Sequence, residues 1–154
     1  MIRLLRRVKQ EAGWEDSLVL ELAELLDRGF VERYGCILYS GHEKSAQLKS
    51  TREALVDKTG IECFANHIHI IDHVKADPLG QLQQGMAFVR ELTKELRRSY
   101  PRTRFRLILS HNKHGVIVRF HKLRVAEEWL SDDLEEYKED SIYVLTVCAN
   151  RSKY

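Results

Sequence analysis

Residues 103–124 read TRFRLILSHNKHGVIVRFHKLR, and this stretch decides the predicted fold. Two alternating segments flank a short polar link, which predicts the strands Thr103–Ser110 and Gly115–Arg124 joined as a hairpin. Side chains two positions apart project from the same face of a strand. One face is therefore apolar, with the members Phe105, Leu107, Leu109, Val116, Val118 and Phe120. The opposite face is mostly basic.

The segment before the hairpin predicts a helix that covers this apolar face. Asp77-Pro78 is a strong helix start, because an N-cap residue is followed by proline at the first helical position. Apolar residues then recur at steps of three and four from Leu79 to Leu96. Such a helix buries its apolar stripe when it lies on a sheet.

The remaining segments predict further helices and strands. Apolar residues at helical spacing between Leu18 and Leu26 favour a helix. Further predicted elements are strands within Gly35–Ser40, Ile61–Val74 and Ile142–Val147, a helix over Glu43–Lys58, and a short acidic helix or turn over Trp129–Tyr137.

Together these elements predict an α+β fold. We expect a single mixed or largely antiparallel sheet with helices mainly on one face, in the approximate order ααβαβαββαβ. The length of 154 residues is typical of one domain, spanning residues 1–154. Within it, residues 1–12 form a possible peripheral helix or arm and residues 150–154 a polar tail.

Composition excludes some classes of protein. No apolar run approaches the roughly 20 residues needed to cross a bilayer, so we expect no membrane association. The N-terminal stretch lacks the apolar core and cleavage site of a secretory signal, which favours a cytoplasmic location. Three scattered cysteines, Cys36, Cys63 and Cys148, indicate buried reduced thiols rather than a disulfide framework.

Histidines in the predicted strand Ile61–Val74 suggest one function. His67 and His69 lie two positions apart, so they share a strand face and could bind one metal ion. Zinc or another divalent metal would need a third ligand, for which Cys63, His73 and His121 are candidates. This pattern supports a small metal-dependent hydrolase or nuclease as an alternative function. The other interpretation is that the histidines are polar residues on a half-exposed strand.

The charges of the C-terminal third are segregated. Residues 97–124 carry nine Lys or Arg and no Asp or Glu. A basic surface of this kind could bind anions, through Arg104, Arg106, Arg119 and His121. Nucleic acid is not favoured, because the nearby aromatic residues share the apolar parity and face the core. A solvated face neutralised by neighbouring acids is the alternative.

The adjoining segment has the opposite charge. Residues 127–140 carry eight acids and one base, together with two aromatic residues suited to anchor an interface. The predicted partner-binding residues are Trp129, Asp132, Asp133, Glu135, Glu136 and Tyr137. The same acids could instead pair with the basic strands.

The favoured function is therefore a small soluble protein-binding module, without catalytic residues or cofactor. Its most concrete form is an immunity-type antitoxin, whose charged surface binds a basic toxin domain. No nucleotide-binding or hydrolase motif occurs in the chain. The oligomeric state does not follow from the sequence.

Overall fold

A computed structural model describes residues 17–42 and 57–148. The predicted arm at residues 1–12, the tail at 150–154 and nearly all of the predicted helix Glu43–Lys58 lie outside the described residues. No helix in the described ranges is long and apolar enough to cross a membrane.

The described residues form an α+β fold, which confirms the predicted class. The helices are α1 (Leu20–Asp27), α2 (Lys58–Ala65) and α3 (Pro78–Ser99). The strands are β1 (Phe30–Arg33), β2 (Cys36–Tyr39), β3 (Ile68–His69), β4 (Phe105–Asn112), β5 (Gly115–Lys122) and β6 (Ser141–Val147). Short 3₁₀ turns cover Ile70–Asp72 and Leu134–Glu136.

The described strands form two antiparallel sheets rather than the single sheet expected. One is the hairpin β1-β2, and the other has the order β3-β5-β4-β6. The hairpin turns at Tyr34-Gly35, where both residues have positive φ (58° and 73°). Two such residues make the tight turn whose twist suits a two-residue hairpin loop. The β1 strand was missed because its sequence FVER shows only partial apolar alternation.

The predicted strand Ile61–Val74 is wrong over most of its length. Its first part is helix α2, because the Asp57 side chain accepts a hydrogen bond from the Gly60 N–H (2.6 Å) and caps the helix. Only Ile68 and His69 pair with β5, and a 3₁₀ turn follows. Apolar and polar residues happen to alternate through all three of these short elements. The sequence therefore predicted one long strand in their place.

The main core lies between α3 and one face of the four-stranded sheet. The predicted apolar side chains of β4 and β5 are all at most 1% exposed, as are Leu92 and Leu96 of α3. The helix approaches the sheet closely at Gly85, where an added Cβ would lie 2.8 Å from Val116 Cγ1. Helix α1 packs against the same core through Leu22, Leu25 and Leu26. The central prediction of a helix on an apolar sheet face is thus confirmed.

The path of residues 123–140 follows from the sheet topology. The strands β3 and β4 are parallel and lie on either side of β5, and the connection between them contains α3. The strands β5 and β6 are likewise parallel and lie on either side of β4, and residues 123–140 connect them. Each connection moves two positions along the strand order, and both move toward β6. The strands β3 and β4, however, run antiparallel to the strands β5 and β6. Because such crossovers are nearly always right-handed, the two lie on opposite faces. Residues 123–140 therefore cross the face opposite α3, and we call them the acidic crossover.

We expect Leu92→Ala to destabilise the fold, because Leu92 is buried between α3 and the sheet. Truncation of a buried leucine in a packed core costs about 2–5 kcal/mol in the free energy of unfolding. Leu20→Ala is the matched control, since Leu20 is 70% exposed on α1. Urea titration measures both variants, and equal small losses would show that α3 is not packed as described.

Candidate functional site

A buried carboxylate connects the two sheets at one end of the molecule. Glu62 of α2 has a fully buried side chain and pairs with Arg124 at 2.7 Å. Its Oε1 also accepts a hydrogen bond from the Ile37 N–H of β2 (2.8 Å), and its Oε2 accepts one from the Lys122 N–H of β5 (2.7 Å). The carboxylate is thus neutralised and hydrogen-bonded on both oxygens, as a buried charge requires.

Asn66, the C-cap residue that follows α2, extends the same connection one turn beyond Glu62. Its Nδ2 donates to the carbonyl oxygens of Ile37 (2.7 Å) and Phe120 (3.3 Å), and its Oδ1 accepts from the Tyr39 N–H (3.2 Å). Each backbone group lies on a strand edge that faces α2. Two polar side chains of one helix therefore take the place of a neighbouring strand for both sheets.

Arg124 also positions the surrounding turns. Its Nη2 donates to the Gly35 carbonyl (3.1 Å) in the β1-β2 turn. Glu127 lies 3.9 Å from the Arg124 guanidinium and accepts a hydrogen bond from the Thr59 N–H at the start of α2 (2.9 Å). Glu127, the first acid of the acidic crossover, thus has an internal structural role.

The predicted anion-binding residues lie on the sheet face opposite α3. Arg106 and His121 are cross-strand partners, and Arg119 lies two residues from His121 on β5. Arg119 is half-buried, and its Nη1 donates a long hydrogen bond to Ser110 Oγ (3.4 Å). Arg104 has the same parity but is exposed at the start of β4. The structure therefore brings Arg106, Arg119 and His121 together and leaves Arg104 at the margin.

His67 and His69 lie at the edge of this face, with ring centroids 5.1 Å apart. His67 Nδ1 is hydrogen-bonded to the Phe64 carbonyl at the C-terminal end of α2. Burial lowers the pKa of His67, and the nearby His69 and Arg119 lower it further. His73 lies beyond the 3₁₀ turn that ends β3. No group of three metal-ligating side chains occurs within residues 17–42 and 57–148, so the metal hypothesis gains no ligand set there.

The acidic crossover alternates between exposed acids and half-buried apolar residues. Asp132, Asp133 and Glu136 are exposed, whereas Leu130, Leu134 and Tyr137 are half-buried. Trp129 is 40% exposed. The Glu135 side chain lies outside the described part of the chain.

Two cysteines are structural. Burial raises the pKa of the Cys36 thiol to about 11 and raises that of Cys63 further, which keeps both protonated near neutral pH. Cys148 is exposed, contrary to the expectation that all three are buried.

Sequence reasoning missed Glu62, Asn66 and Arg124. The available signal was a polar pair four residues apart, which shares one face of a helix. That signal depends on recognising α2 first, and the segment had been predicted as a strand.

Glu62→Ala should lower the free energy of unfolding by about 3–5 kcal/mol, because it leaves Arg124 and two backbone donors without their acceptor. The matched control is Glu95→Ala, which breaks the exposed Glu95–Arg98 pair and should cost about 0–1 kcal/mol. In a double-mutant cycle, Glu62→Ala and Arg124→Ala together should cost less than the sum of the single losses. Additive losses would contradict the coupling.

Stability should fall at mildly acidic pH because of His67 and His121. Burial lowers the pKa of both imidazoles in the folded protein below the ordinary 6.5. The histidines of the unfolded chain therefore bind protons more readily than those of the folded protein. Their contribution to the free energy of unfolding is fully present above about pH 6.5 and is lost as the pH falls toward the folded-state pKa. We expect unfolding free energies at about pH 7.5 to exceed those at about pH 5.5. His121→Gln should reduce this difference, whereas the exposed His114→Gln should preserve it; a flat wild-type profile would refute the assignment.

Comparison with known proteins identifies a family by sequence. No curated protein and no solved structure matches the chain. One family model matches residues 1–153, and its description is Uncharacterized protein PM0498 family. The match covers nearly the whole sequence, so the chain belongs to the PM0498 family.

Proposed function

We propose that this protein is a protein-binding module whose acidic crossover contacts a basic partner. The observation that carries the proposal is the exposure of Asp132 and Glu136 without an ion pair to any described residue. If these acids neutralised the basic strands, salt bridges to Arg104, Arg106 or Arg119 would be expected. Within the described ranges, none of those arginines has one.

The crossover has the physical features of a preformed binding surface. The Ser131 N–H donates to Tyr137 Oη (3.0 Å), and the Asp133 N–H donates to Ser131 Oγ (3.2 Å). These bonds fix the intervening turn, which reduces the conformational entropy lost on binding. Tyr137 therefore supports the surface, whereas the partly exposed Trp129 is available as an aromatic anchor.

Charge complementarity favours a basic protein as the partner. Opposite charge accelerates diffusional encounter and disfavours acidic competitors. Nucleic-acid-cleaving enzymes carry basic surfaces that bind phosphates, and a row of exposed carboxylates can occupy such a surface. The most concrete form of the proposal is an immunity-type protein that neutralises a basic toxin domain.

Charge reversal in the crossover should slow association with the partner while stability changes by at most about 1 kcal/mol, since exposed ion pairs contribute little. The test variant is Asp132→Lys with Glu136→Lys. The control variant is Glu21→Lys with Glu24→Lys, which makes the same charge change on exposed residues of α1.

The partner is first isolated by affinity capture on the wild-type protein and then purified. Stopped-flow association is measured at several salt concentrations for the wild type and both variants. The proposal predicts a slower, less salt-dependent association for the crossover variant only. A folded crossover variant that associates at the normal rate would remove this segment from the interface.

A further inference from the structure

The sheet face opposite α3 contains two buried polar atoms that have no hydrogen-bond partner among the described residues. They are Arg106 Nε and His121 Nε2. The two residues are directly paired across β4 and β5, so their Cβ atoms are about 4.5–5.5 Å apart. His121 is 1% exposed, whereas Arg106 is half-buried. Buried polar atoms are nearly always satisfied, so this pair indicates an unseen water or ion.

The charges around these atoms favour an anion. Arg106 has no ion pair with any residue in the described ranges. Arg119 adds a second half-buried guanidinium, and Asp140 is the only carboxylate among the described residues with an electrostatic effect on it. His67 and His69 lie beside Arg119 at the sheet edge. Several cationic groups thus share one face with few acids to neutralise them.

The orientation of His121 suits the same ligand. Its Nδ1 lies 3.1 Å from the Lys122 carbonyl and donates to that oxygen, so Nε2 is the ring nitrogen without a partner among the described residues. On protonation, Nε2 becomes a second donor beside the guanidinium of Arg106. Hydrogen bonds from charged donors to an oxyanion are about twice as strong as neutral ones.

We propose that Arg106 and His121, flanked by Arg119, bind a small oxyanion of the phosphate class. Its oxygens accept hydrogen bonds from the Arg106 guanidinium and from protonated His121 Nε2. A nucleic-acid strand fits less well, because Phe105 and Phe120 are buried on the other face and offer no stacking surface. This site is separate from the outward acids of the proposed partner surface, so either proposal can fail alone.

Isothermal titration of the full chain with sodium phosphate tests the site, with chloride used to hold ionic strength constant. Arg106→Gln should weaken phosphate binding about tenfold or more, through loss of a charged donor. Arg102→Gln is the matched control, because Arg102 is exposed in the turn before β4 and loses the same charge. A single-stranded oligonucleotide is titrated in parallel.

A second readout uses the wild-type protein, in case Arg106→Gln does not fold. Phosphate should raise the pKa of His121, because a bound anion stabilises the imidazolium. The titration is followed by NMR, and the His121 signal is assigned with the His121→Gln variant. Among the described residues, Glu62, Arg106 and Arg124 are the charged groups that act on this imidazole without ligand. The expected result is phosphate binding that depends on Arg106 and not on Arg102, with a raised His121 pKa. The proposal is overturned by absent binding, by equal binding in both variants, by an unchanged His121 titration, or by tighter oligonucleotide binding that also needs Arg102.

Discussion

The buried carboxylate of Glu62 is the interaction on which the arrangement of the two sheets depends. A charge removed from water is strongly unfavourable unless its partner and its remaining hydrogen bonds are in place. Glu62 meets that condition only when β2, β5 and Arg124 all surround α2. Any other placement of the β1-β2 hairpin would remove the Ile37 N–H from the carboxylate and the Gly35 carbonyl from the guanidinium. The ion pair therefore specifies one arrangement, beyond what it adds to stability.

The same contact explains why the described residues form two sheets rather than one. The edges of β2 and β5 both face α2, and the side chains of Glu62 and Asn66 satisfy backbone groups on each. A strand edge with unpaired N–H and C=O groups invites pairing with another chain. Side chains of a helix close these two edges, because they supply the donors and acceptors that an extra strand would have provided.

The sequence predicted the elements whose patterns are long and whose partners are near. The hairpin β4-β5 and the helix α3 have regular periods over many residues, and burial of their apolar positions matched the prediction. The pattern failed over residues 61–74, where three short elements follow one another. It also gave no indication that Glu62 is buried, since its partner Arg124 is 62 positions away. Long-range polar pairs leave no periodic signal, so local patterns miss them.

The charge blocks were readable from the sequence, but their spatial relation required the topology. The chain carries a formal net charge of only +2, yet its acids and bases near β5 are not mixed. The handedness of the connections places the acidic crossover over the face that contains Arg106 and Arg119. The two arginines are half-buried on that face, and Asp132 and Glu136 of the acidic crossover are exposed. In the two proposals, a protein partner contacts the carboxylates of the acidic crossover, whereas a small anion contacts the guanidinium groups. One irregular segment thereby separates two surfaces of opposite charge that the sequence places side by side.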